Sequence, residues 1–273
     1  MNLQTFYRAL SVLLITVLVL ALLCAVGGIT LGILKLVDPR VPATEVPDVP
    51  TDTQPAEVYL SETSDAGIAY QDSLIFFGES TTSHLRSRGV LTNGTSTKQV
   101  WTDASGTRML SSQGLSTPII YPDTGESMTV ARAAAAKKPA VMVLSFGVNG
   151  ITNFVKNKST YVNNYNKLIK TVQEASPDTK IILQTVYPVR AATGYSVDTE
   201  TLNSYIETLN SWLPEIAAAN QNVRIADTAS VLRASDGLLS PEFDTGDGLH
   251  LTAEAYRAVL TYLRTHAWVT KQE

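Results

Sequence analysis

Apolar positions along this chain fall into three regimes. From Ala9 to Leu34 they are nearly continuous, 26 residues without a charged side chain. A helix needs about 20 such residues to cross a bilayer, and the apolar core of a cleaved signal peptide usually has only about 7–15. The stretch therefore predicts a retained single-pass transmembrane helix, with its flanks covering residues 1–40. Arg8 lies on one side and Lys35 and Arg40 on the other, so flanking charge does not choose the orientation strongly. An anchor that precedes a whole domain favours the N-terminus inside and the domain extracytoplasmic, at the cell membrane. Residues 41–56 form the second regime. Val41–Pro55, VPATEVPDVPTDTQP, has four prolines and no aromatic residue; such a segment buries too little surface to fold and reads as an extended linker.

From residue 57 to 273 short apolar runs alternate with helical spacing. Leu74–Phe77, Ala140–Phe146, Lys180–Tyr187 and Val223–Ala226 read as strands. Helices are predicted around His84 and Leu85 and over Ala131–Lys138, Tyr161–Ala175, Thr199–Ala219 and Thr252–His266, where apolar residues recur every three to four positions. Ile119–Tyr121 and Ser127–Val130, joined by Pro-Asp-Thr-Gly, read as a β-hairpin. Repeated strand–helix units predict an α/β domain, a mostly parallel sheet covered by helices on both faces. Ligands in such folds bind at the C-terminal ends of the strands.

Composition narrows the chemistry. Residues 41–273 carry 18 basic and 24 acidic side chains, which gives no support for a nucleic-acid partner. The one cysteine, Cys24, lies in the apolar run, so the domain has no disulfide, no thiol nucleophile and no cysteine metal site. Histidines are too few and too scattered for a metal cluster, and neither a Gly-rich phosphate loop nor a GxSxG elbow is present. No cofactor and no metal is expected.

Three stretches carry candidate chemistry. Ser80 follows Gly78 at the end of the first strand and precedes a helix, where unpaired backbone N–H groups favour developing negative charge. It reads either as a nucleophile or as the helix N-cap. Asn149 follows Gly147 at the end of the second strand, as an oxyanion donor or as a turn residue. Asp247 precedes His250 by three residues in a Gly-containing loop. That spacing lets the carboxylate reach Nδ1 and leaves Nε2 for a serine proton; the alternative is that both merely flank the last helix. Asp244 is a second candidate orienter. His84, one turn along the helix from Ser80, could line the pocket but reads rather as a packing or solvent-facing residue, and Trp101 is the tryptophan to watch after the candidate nucleophile.

Together Phe77-Gly-Glu-Ser-Thr-Thr, Gly147-Val-Asn149 and Asp247-Gly-Leu-His250 resemble the three blocks of the SGNH hydrolases, the GDSL esterase/lipase family, over about residues 70–267. The resemblance implies a three-layer α/β/α fold with a flavodoxin-like sheet and serine ester hydrolysis without a cofactor. Ser80, His250 and Asp247 would be its triad, and Ser80, Asn149 and a glycine its oxyanion hole; Gly106 is the candidate glycine and Gly94 its rival. Two departures stand out: Glu79 where the family has Asp, and Gly150 where an Asp commonly follows the Asn. The implied function is a membrane-anchored esterase of small acyl groups, acetyl foremost, on envelope or extracellular carbohydrate. A glycan O-acyltransferase with the same triad and a silent cell-wall binding module are the alternatives.

Overall fold

In the strands of the sheet, alternate side chains point to opposite faces and nearly all are buried, as expected for a sheet covered on both sides. The computed structural model describes residues 58–106, 108–191 and 194–268. The expected anchor (residues 1–40) and the linker (41–56) lie outside the described residues. Among the described residues no helix is long and apolar enough to cross a membrane.

Five strands form the main sheet: β1 (Leu74–Gly78), β2 (Val100–Trp101), β5 (Val141–Ser145), β6 (Lys180–Gln184) and β7 (Val223–Ala226). All pair in parallel, in the order β2-β1-β5-β6-β7. Counting main-sheet strands alone, this is the 2-1-3-4-5 order of the flavodoxin type, whose direction of winding reverses between the first and third strands. The hydropathy pattern does not mark β2. The expected hairpin is present but shorter, β3 (Ile119–Ile120) against β4 (Ser127–Met128).

Among the described residues the strands are accompanied by eight α-helices, α1 (Gly67–Ser73), α2 (Ser80–Ser87), α3 (Ser112–Ser116), α4 (Val130–Lys137), α5 (Ile151–Phe154), α6 (Lys158–Ala175), α7 (Thr199–Ala218) and α8 (Ala253–Thr265), and by three single turns of 3-10 helix. Side-chain caps begin α4, α6, α7 and α8, where Thr129, Asn157, Asp198 and Thr252 each accept a backbone N–H of the first turn. On one face of the sheet Ile75, Phe77, Met142, Leu144, Ile181 and Leu183 pack with α4, α6 and α7. On the other, Leu74, Phe76, Val141, Val143 and Ile182 pack with Leu85 of α2 and with α8. The result is a three-layer α/β/α domain. Leu202, Ile206, Leu209 and Leu213 of α7 are fully buried, each contributing about 2 kcal/mol relative to exposure.

Strand β6 stops at Gln184, short of the expected Tyr187. Thr185 N–H still donates to the Ala226 carbonyl; farther on the backbone finds side-chain partners instead of a ladder, Val186 exchanging two hydrogen bonds with the Asn210 amide and Val189 two with Asn203. The outer edge of β7 is covered. Ile225 N–H donates to the Val58 carbonyl and Leu60 N–H to that of Ile225, each at 2.8 Å.

Candidate active site

Between β1 and α2 the chain turns in minimal space. A Cβ on Gly78 would lie 2.2 Å from Thr82 Oγ1 and 2.3 Å from the Ser145 carbonyl oxygen, so this turn accepts only glycine. Glu79 is the residue that precedes the helix, and its side chain makes no capping bond. Ser80 is therefore the first helical residue rather than the cap, and its hydroxyl is turned elsewhere: Oγ lies 3.3 Å from Nε2 of His250.

His250 is held by Asp247 from within one tight loop. Asp247 Oδ2 is 2.6 Å from His250 Nδ1, while Oδ1 accepts the backbone N–H groups of Leu249 (3.0 Å) and His250 (2.8 Å). Burial alone would raise the Asp247 carboxyl. The hydrogen bonds from the His250 backbone and ring and from Leu249 outweigh it and hold the group well below the usual carboxylate range. An ionised Asp247 can only accept, so Nδ1 donates and Nε2 of the neutral ring faces Ser80 as an acceptor. Asp244, the second candidate orienter, acts on the loop instead. Its Oδ1 accepts the N–H groups of Gly246 and Gly248, each at 2.9 Å, and so shapes the turn that carries Asp247.

Glu79 ties the Ser80 turn to the end of β5. Its carboxylate accepts the N–H of Gly147 at 2.6 Å and that of Asn149 at 3.1 Å. The residue is 3% exposed, and burial pushes its carboxyl up to about 7 against the lowering effect of hydrogen bonds from Gly147, Asn149 and Val148. The Asn149 amide donates one hydrogen bond, 3.1 Å, to the Arg108 carbonyl. The buried Arg108 guanidinium in turn donates to the carbonyls of Thr117 and Pro118 and lies over the Phe77 ring. Nothing in the sequence marks Arg108 for this role. Gly150 follows Asn149 with φ +91°, and a Cβ there would lie 2.7 Å from Met109 Sδ, which accounts for the absence of the family's Asp.

Gly106 is the glycine that the resemblance would place in the oxyanion hole. Its N–H donates to Asp103, at 2.8 Å to the carboxylate and 3.2 Å to the carbonyl, so that donor is already engaged in a local turn. The rival Gly94 likewise gives its N–H to Leu91. Trp101 is fully buried and meets Tyr121 edge to face, which makes it a core residue. His84, one turn beyond Ser80, packs against His250 with ring centroids 4.7 Å apart.

Ser80, His250 and Asp247 stand in line at the β1/β5 reversal, and the family to which the chain belongs follows from its sequence. The model of the GDSL-like Lipase/Acylhydrolase family matches residues 76–258, two-thirds of the chain. The chain belongs to this family. A GDSL-like acylhydrolase is an ester-hydrolysing serine hydrolase. Solved structures similar to this one include a GDSL-like lipase from Bacteroides thetaiotaomicron, with TM-score 0.44 and 15% identity over 73% of this chain and 89% of that one. A carbohydrate esterase family 3 protein from Talaromyces cellulolyticus gives 0.43 and 16% over 70% and 93%. The lipopolysaccharide acetyltransferase periplasmic domain of Salmonella ser. Paratyphi A gives 0.44 and 18% over 70% and 82%. These are likenesses of fold alone. Among curated proteins none matches the sequence.

Proposed function

We propose that this GDSL-like acylhydrolase is a membrane-anchored esterase that removes small acyl groups, acetyl foremost, from envelope or extracellular carbohydrate. Ser80 Oγ attacks the ester carbonyl as its proton passes to His250 Nε2. Asp247 holds the ring and stabilises the imidazolium. The tetrahedral oxyanion is received by the Ser80 N–H, which at the first helical position has no intrahelical acceptor, and by an Asn149 side-chain N–H. Collapse expels the alcohol, which takes the proton from His250. Water then repeats the sequence on the acyl-enzyme and releases the acid.

The observation that carries this reading is the chain of contacts from Ser80 Oγ through His250 to Asp247, 3.3 Å and 2.6 Å. The carbohydrate half rests on the N-terminal apolar run, which would hold the domain beside envelope polymers. The test is turnover of p-nitrophenyl acetate and of acetylated polysaccharides by the full-length chain. Ser80→Ala and His250→Ala are each expected to lower kcat by about 10³-fold or more. Wild-type turnover no faster than that of the alanine variants would sink the hydrolase and leave a binding module. Acyl transfer to an added sugar, in place of acid release, would make the enzyme an O-acyltransferase.

A further inference from the structure

His84 stands inside the site with no part in the steps above. As the fourth residue after Ser80 on α2, it lies on the same helix face one turn along, and helical side chains lean back toward the N-terminus. Its ring meets that of His250 at a centroid distance of 4.7 Å and an angle of 52°. His250 is thus engaged at Nδ1 by Asp247, at Nε2 by Ser80 and on its side by His84. The His84 Nδ1 is buried and has no hydrogen-bond partner. A proton there would be a buried donor without an acceptor, which disfavours both the charged ring and the tautomer protonated at Nδ1.

We propose that His84 is a positioning residue of the esterase: a neutral imidazole that keeps the His250 ring in line between Asp247 and Ser80 and offers an uncharged aromatic neighbour to the imidazolium His250 becomes. This rests on the esterase reading above. Two facing imidazoles cannot both be positively charged cheaply, so the positioning ring has to resist charging while its partner charges. The titratable and charged groups facing His84 are His250 and Asp247, from the loop before α8, and Arg88, the residue just past the end of its own helix. Burial first, then His250 and Arg88, lower its titration below the ordinary histidine value, against the raising effect of Asp247. Neutral His84 leaves the proton to His250, and an aromatic neighbour without charge favours the cation through its ring electrons.

The test uses the full-length chain and two readouts. His84→Ala is expected to lower kcat about tenfold with KM within about twofold, because a small misplacement of the base costs rate rather than binding. His84→Phe should restore kcat to within about threefold of wild type. His84→Lys should be as slow as the alanine variant and move the acid limb of kcat/KM to lower pH by about half a unit or more, since a cation beside His250 opposes its protonation. An alanine variant with wild-type kcat and pH profile, or a lysine variant as fast as phenylalanine, would overturn the proposal. The second readout needs no turnover. The chain has only three histidines, so their ring signals can be followed by NMR, and replacing His250 by Phe should raise the titration midpoint of His84. An unmoved midpoint overturns the ring pairing. A moved midpoint in a chain without esterase activity supports the pairing and counts against the esterase reading alone.

Discussion

Glu79 shows how one side chain next to a nucleophile can govern both geometry and pH response. Its carboxylate lies in the interior on the N–H groups of Gly147 and Asn149, so the loop bearing the oxyanion candidate hangs from the residue beside Ser80. Burial raises its folded value to about 7, above the 4.5 of an exposed glutamate. The stability it contributes is therefore complete below about pH 4.5 and is lost as pH rises through 7, by up to about 3 kcal/mol. Glu79→Gln removes that titration. Thermal melts between about pH 5 and 8 are expected to fall for wild type and stay flatter for the variant; parallel curves would exclude Glu79 as the source. At this scale the contact between Asp247 and His250 was legible, because three residues in a glycine loop bring a carboxylate within reach of an imidazole; Ser80 reaches His250 across 170 residues, and only the three blocks taken together suggested that meeting. The contacts of Glu79 and His84 were not legible. Each depends on a partner delivered by a distant segment, β5 for one and the loop before α8 for the other, and no local spacing encodes that meeting.

The β1–α2 turn is the element on which the site depends. Thr82 Oγ1 could rotate away from a methyl group on Gly78, but the Ser145 carbonyl belongs to the neighbouring strand β5 and cannot. Gly78→Ala is accordingly expected to destabilise the protein by about 2–3 kcal/mol and to cut turnover further by displacing Ser80. Urea unfolding and active-site titration with a fluorophosphonate would read the two effects; an unchanged midpoint would show that the turn has slack. The long periodic elements, α6, α7 and α8, were legible to within a few residues, since apolar spacing and their caps agree. The short ones were not. β2 has two residues and exists through pairing with β1, and α3 has five residues with no amphipathic period to betray it. The end of β6 was overrun because apolar residues continue to Tyr187 while their backbone turns to Asn210 and Asn203, a change of partner invisible in hydropathy.

For the whole molecule, the alternation of strand and helix foretold the layered α/β class, and the three blocks in order foretold the family. The order of strands came only with that resemblance: hydropathy says that a strand is buried on both faces, not which neighbours it has. The apolar run Ala9–Leu34 makes its own prediction. The full-length chain is expected to sediment with membranes, to resist extraction by high salt and to be released by detergent, whereas a chain lacking residues 1–40 should stay in the soluble fraction. Full-length protein washed off by salt would rule out a spanning anchor.

Val58 to Leu60 run beside β7 and occupy the N–H and C=O of Ile225 on its outer side. An uncovered strand edge is a template onto which another chain can add, and a parallel sheet with two bare edges is an invitation to aggregate. Here the far edge, β2, offers only two residues, and the near one is closed by this short strip. Val58–Leu60 thus leave little bare edge on that side of the sheet for a second copy of the chain to add to.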